Sequence, residues 1–256
     1  IVVLAVAVLP MLGVGGMQLY KAESPGVVKD KLTPRITQTA KALWLIYVGM
    51  TLLCLLSFRL AGMSWLDAVC HSFSTIATAG FSTHGASIGH FDSPLIEMIA
   101  VFFMFAGAIN FGLHFMALRR GRFIAYWRDP ELRFFALSLA LLMALVTAML
   151  WLDSPLAPLQ ALRHAVFMST SLLTTTGFVS TDFTLWPGIL PFLVVSASIM
   201  GGMAGSTASG VKPLRMLLAL KHSLREISRL LHPNGVFAIR LGRKTVSPRV
   251  IDAVWG

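Results

Sequence analysis

The chain has 256 residues, 56% hydrophobic and 12% charged, with a mean hydropathy of +0.76. A soluble globular domain carries about 25% charged residues, so this composition excludes a soluble enzyme or binding module and describes a polytopic membrane protein. The formal net charge of +10 would suggest nucleic acid in a soluble chain, but nineteen of the 21 lysines and arginines fall in three blocks, Lys21 to Lys41, Arg119 to Arg133 and Lys212 to Arg249. Basic blocks stay on the cytoplasmic side, where anionic lipid is their partner. Only Arg59 and Arg163 lie elsewhere, among Asp67, Asp92, Asp153 and Asp182. The outer face therefore carries a mild negative bias, the sign that concentrates cations.

In chain order, the apolar run Ile1 to Leu9 has no initiator Met and no charged region before it, which argues against a signal peptide. It is expected to be the end of a preceding repeat's second helix, over residues 1–20, so the chain is expected to be an internal fragment. Residues 21–130 are expected to form one unit. In it, Ala42 to Gly62 is near the ~20 residues needed to span. Ser64-Trp65-Leu66-Asp67 predicts a capping box on a helix too short to cross before Gly80. Ser93-Pro94 then predicts the start of a second long helix, running to about Leu118. Residues 131–235 repeat that order. Leu132 to Leu152 spans, Ser154-Pro155 starts a descent to Thr174, and an apolar stretch leaves Gly188 toward the cytosol. Residues 236–256 are expected to be a linker and the start of a further repeat.

The repeat is visible in single residues. At one constant offset Ala68, Val69, Ser72, Thr78, Gly80 and Phe81 match Ala165, Val166, Ser169, Thr175, Gly177 and Phe178. Thr78-Ala79-Gly80-Phe81 and Thr175-Thr176-Gly177-Phe178 each follow a half-helix whose negative C-terminus would face an ion. Glycine lets backbone approach a ligand closely, and rings of such carbonyls replace a potassium ion's hydration shell in channels. These eight residues are the predicted ion site, with potassium as substrate and no cofactor. The small-residue run Gly201 to Gly210 interrupts the last helix, because each Gly costs about 1 kcal/mol there. Gly201, Gly202, Gly205, Ser206, Thr207, Ser209 and Gly210 are the predicted gating loop, expected to be flexible. Cys54 and Cys70 fit neither a disulfide framework nor a metal site, and the seven histidines show no metal spacing. Leu217 to Leu231, with Lys221, Arg225 and Arg229, is amphipathic and suits the inner membrane surface or a cytosolic partner.

The run from His71 to Thr83 resembles the second filter of bacterial Trk-type potassium uptake proteins, of the Trk/Ktr/HKT superfamily, and Thr174 to Asp182 resembles their third. Gly201 to Lys212 is similar to the gating loop of that family, and His232-Pro233-Asn234-Gly235 to the linker after it. The resemblance implies an all-α membrane protein of repeated helix–pore-loop–helix units, four-fold pseudosymmetric in the full-length protein. It also implies potassium transport across the bacterial inner membrane, a homodimer, and a cytosolic nucleotide-binding regulatory subunit. Ala208-Ser209 stands where the family usually has glycines. Rival readings are a sodium-permeable transporter or symporter of the same superfamily, a subunit that does not conduct, and an intramembrane serine protease. The last would use Ser206 or Ser209 as nucleophile and His114 or His164 as base.

Overall fold

The computed structural model describes residues 36–121, 123–232, 240–241 and 244–245. The expected helix over 1–20, the basic residues Lys21 to Arg35 and most of 236–256 lie outside the described residues. The elements in order are α1 (Ile36–Leu60), α2 (Trp65–Ile76), a 3-10 turn (Ser87–Phe91), α3 (Pro94–Gly107), α4 (Phe111–Arg120) and α5 (Ile124–Arg128). They continue with α6 (Pro130–Asp153), α7 (Pro158–Leu173), a 3-10 turn (Phe183–Leu185), α8 (Leu190–Ala197) and α9 (Pro213–Leu231). A two-residue antiparallel ladder, β1 (Arg240–Leu241) with β2 (Lys244–Thr245), falls inside the expected linker. It leaves the all-α class intact.

Among the described residues, two helices are long and apolar enough to cross a membrane, Lys41–Leu60 within α1 and Pro130–Asp153, which is α6. Their outer faces expose Leu52, Leu53, Leu56, Leu137, Leu141 and Leu145. In water such apolar surface would be a liability, but against lipid tails it is the expected lining. The half-helices are set by their caps and lengths. The Ser64 hydroxyl accepts the Asp67 N–H at 3.1 Å and donates to the Asp67 carboxylate at 2.7 Å, the predicted capping box. α2 has 12 residues, roughly 18 Å at 1.5 Å per residue, well short of the ~30 Å of hydrocarbon. It is therefore too short to cross the membrane.

Two expectations are corrected. The helix from Pro94 does not run straight to Leu118, because α3 and α4 meet at a 93° bend. Asn110 makes the break, its side chain accepting the Gly112 N–H at 2.7 Å to start α4 anew. The second descent begins at Pro158, not at Ser154-Pro155. Ser154 closes α6, and both Ser154 and Ala157 are extended, as residues before proline prefer to be.

α1 packs against α2, α3 and α4, while α6 packs against α7, α8 and α9. The core of the first unit, around Cys54, Phe58, Met63, Ala68 and Ile76, also holds Phe167, Met168 and Phe178 from the second. α3 meets α7 through Arg163. Its guanidinium holds the Glu97 carboxylate with two hydrogen bonds of 2.9 Å and reaches Asp92 at 3.2 Å. Glu97 is fully buried, so this bidentate pair satisfies a charge that would otherwise be costly to bury. Cys54 is buried, Cys70 half-buried, and both are free.

Candidate ion-conduction site

Each half-helix ends in the same turn. After α2, the Ala77, Thr78 and Ala79 amides donate to the Phe73, Thr75 and Ser74 carbonyls at 3.0, 3.1 and 2.9 Å. After α7, the Thr174, Thr175 and Thr176 amides donate to Thr170, Leu172 and Ser171 at 2.9, 3.0 and 2.9 Å. Every one of these partners is the counterpart of the other at the sequence offset. The backbone repeats as well, with φ of +49° at Thr78 and +73° at Gly80 against +58° at Thr175 and +85° at Gly177. Left-handed geometry is uncommon for threonine.

The two turns touch each other. A Cβ on Gly80 would stand 2.0 Å from the Thr176 carbonyl oxygen, so no other residue fits there, whereas a Cβ on Gly177 would meet nothing within 4 Å. The segments beyond them also join, with Gly89 N–H donating to Val179 O at 3.0 Å and Val179 N–H to Ser87 Oγ at 3.2 Å. Thr78 and Thr176 are buried, and Ala79 and Gly177 are exposed. Phe178 is fully buried and lies 5.8 Å from the His71 ring, while Phe81 is 79% exposed. The predicted filter residues are therefore brought together, with their two aromatic members in different settings.

The small-residue loop lies against the inner end of these turns. The Thr207 hydroxyl bonds the Ile76 carbonyl at 2.8 Å and the Gly107 carbonyl at 3.0 Å. Ser209 N–H donates to the Thr175 hydroxyl at 2.9 Å. Ala108 O takes the Met203 N–H at 2.9 Å, Gly205 O takes the Phe111 N–H at 3.0 Å, and Ala204 O takes the Asn110 amide at 2.6 Å. The expectation of a loose segment is thus revised. A Cβ on Gly201 would come within 1.8 Å of Ser209 O, and one on Gly202 within 2.6 Å of the Ala208 methyl. These glycines are needed because the two arms cross at backbone contact, not merely because they resist helix. Gly210 is the other side of that crossing, 2.6 Å from Gly201 Cα by the same measure.

Among the described residues, neither Ser206 nor Ser209 is hydrogen-bonded to His114 or His164. Ser206 Oγ donates to Met203 O at 2.6 Å, and the His114 ring engages Tyr126 at 2.8 Å and Ala106 O at 3.0 Å. Two site residues were missed from sequence. Asn110 carried a signal, since Asn is a preferred N-cap and stands in the small-residue stretch Ala106 to Gly112. Glu131 follows Asp129-Pro130 and reads as an ordinary acidic first turn. Nothing local announces that it reaches Ala204, 73 positions on.

Paired helices flanking a re-entrant half-helix and its Thr-x-Gly turn, twice over, define a pore-loop membrane protein. Residues 1–256 match the family model TrkH, described as a cation transport protein, and the chain belongs to that family. It is 54% identical over 257 residues to the Trk system potassium uptake protein TrkH of Halomonas elongata, covering 100% of this chain and 53% of that protein. The protein of that name from Escherichia coli K12 is 48% identical over 258 residues, covering 100% and 53%. The crystal structure of the potassium transporter TrkH from Vibrio parahaemolyticus matches with a TM-score of 0.85 at 46% identity, covering 100% of this chain and 52% of that one. The chain thus spans about half the length of the relatives it matches. These relatives are transporters, and the enzyme reading is set aside.

Proposed function

We propose that this chain supplies two of the filters and the gate of a potassium uptake pathway in the bacterial inner membrane. The filter is Thr78 to Phe81 with Thr175 to Phe178, and the gate is Gly201 to Gly210. The observation that carries it is the shared left-handed backbone at Thr78 and Gly80, Thr175 and Gly177, which suits carbonyls to a dehydrated cation. Each half-helix ends at its turn, so its negative end lies next to those carbonyls. The names of the relatives, potassium uptake proteins, choose potassium among cations. In the full-length protein the units 21–130 and 131–235 would sit among further copies, in a homodimer bound to a cytosolic nucleotide-binding subunit.

The loop is taken as closed here, since Thr207 and Ser209 bond the inner ends of both turns. The test is one uptake assay in cells lacking their own potassium uptake, with sodium competing. Gly177→Ser is the filter variant of choice, because a Cβ at Gly80 collides with the Thr176 carbonyl, whereas at Gly177 no described residue lies within 4 Å and only its φ of +85° resists a side chain. It should reduce discrimination against sodium. Deleting Met203 to Ala208 should raise potassium flux and leave selectivity intact. Parental selectivity in Gly177→Ser removes that glycine from the filter, and parental flux after the deletion reduces the loop to packing.

A further inference from the structure

Glu131, in the first turn of α6, is 7% exposed. A carboxylate in such a place must be hydrogen-bonded. Its Oε1 accepts the Ala204 N–H at 2.8 Å, and α6 also packs against α9. Ala204 belongs to the first arm of the Gly201–Gly210 loop. The N-cap of α9, Lys212, makes no side-chain capping bond.

The second arm is held from the α9 side. The Lys212 ammonium donates to the Ala208 carbonyl, and the Lys212 N–H donates to Met200 O at 3.0 Å. Lys212 has φ +76°, a conformation that a non-glycine residue keeps only where its surroundings enforce it.

We propose that Glu131 and Lys212 form a hydrogen-bonding clamp that grips the two arms of the loop and fixes its resting position beneath the filters. Both are positioning residues and neither touches the ion. The proposal rests on the loop being the gate. It makes the spacing between the starts of α6 and α9 the quantity that sets the loop, so displacement of α9 draws Ala208 away from Ala204.

The test uses the full-length protein with Cys54 and Cys70 replaced by serine. Ala204→Cys, buried at rest, is labelled with a small thiol reagent while potassium and sodium uptake are measured. Glu131→Ala should speed labelling about tenfold, the equivalent of about 1.4 kcal/mol, and raise potassium uptake with the potassium-to-sodium ratio unchanged. Glu131→Gln, which keeps an acceptor for the Ala204 amide but loses the charge, should fall between Ala and the parent. Lys212→Met should also speed labelling, and joined to Glu131→Ala it should add less than its separate effect. A purely structural role would lower protein amount and all uptake together without this order, which would overturn the clamp. Should Glu131→Ala not reach the membrane, Glu131→Gln and Lys212→Met decide. If both label and transport like the parent while the Met203 to Ala208 deletion still raises flux, the clamp fails and the gate stands. If that deletion too changes nothing, the gate reading fails and the clamp with it.

Discussion

Asp67 ties the end of the first filter to the start of its own half-helix. Its carboxylate accepts the Thr83 hydroxyl at 2.5 Å and the Ser64 hydroxyl at 2.7 Å, and His84 Nε2 lies at 3.1 Å. The Thr83 hydrogen bond first, then that of Ser64, holds this carboxyl below the usual carboxylate range. A group whose folded pKa is depressed contributes stability above its unfolded pKa and loses it as pH falls through the lower folded value. Acidifying the outer face should therefore loosen the turn from Phe81 to His84 on the acid side only. Thermal midpoints measured across acid pH should fall less steeply in Asp67→Asn than in the parent, and an identical slope in both would clear Asp67 of the effect. At this scale the sequence was legible wherever a residue acts through its own neighbours. Ser64 with Asp67, and each Thr-x-Gly, repeat a local pattern that a single chain displays. Glu131, Lys212 and Arg163 act through residues far away in sequence, and charge type alone does not reveal a distant partner.

The broken segments show the same division among elements. The run from Gly201 to Gly210 was legible as a break because four glycines oppose helix, whereas a helix continuous to Leu118 was expected where α3 and α4 meet at a 93° bend. Asn110 explains the difference. Its carbonyl caps α4 at Gly112, and its NH₂ holds Ala204 O, so one side chain stabilises both the bend and the loop. Asn110→Asp keeps the capping oxygen but sets a second acceptor against the Ala204 carbonyl. The variant should retain the stability of α4 and show faster amide exchange at Met203 to Ser206. Unchanged exchange there would mean that the loop does not lean on this residue. The second half-helix was placed too early because Ser154-Pro155 looks like a helix start. Pro158, three residues on, takes that role instead, and sequence pattern alone offers no ranking between two prolines so close together.

Over the whole molecule, the partition of basic residues predicts that α5, the start of α6 and α9 lie on the cytosolic side, with the turns at Ser87–Phe91 and Phe183–Leu185 outside. Cysteines at exposed Ala86 and Thr184 should react with an impermeant reagent in intact cells, and one at exposed Ser223 only after permeabilisation. Reaction of the Ser223→Cys protein in intact cells would reverse the orientation. The two units also meet unequally. Gly80 runs into Thr176, and Phe178 enters the core of the unit before it, while Gly177 and Phe81 present the same surfaces to open space. Each unit thus has one face that inserts and another that receives, and the joint between them is heterologous. Joints of that kind repeat head to tail and either close into a ring or continue as a helix, according to the rotation at each step. A tandem duplication of one unit would accordingly arrive with its docking faces already matched, and growth of such a chain would stop only where the turn closes on itself.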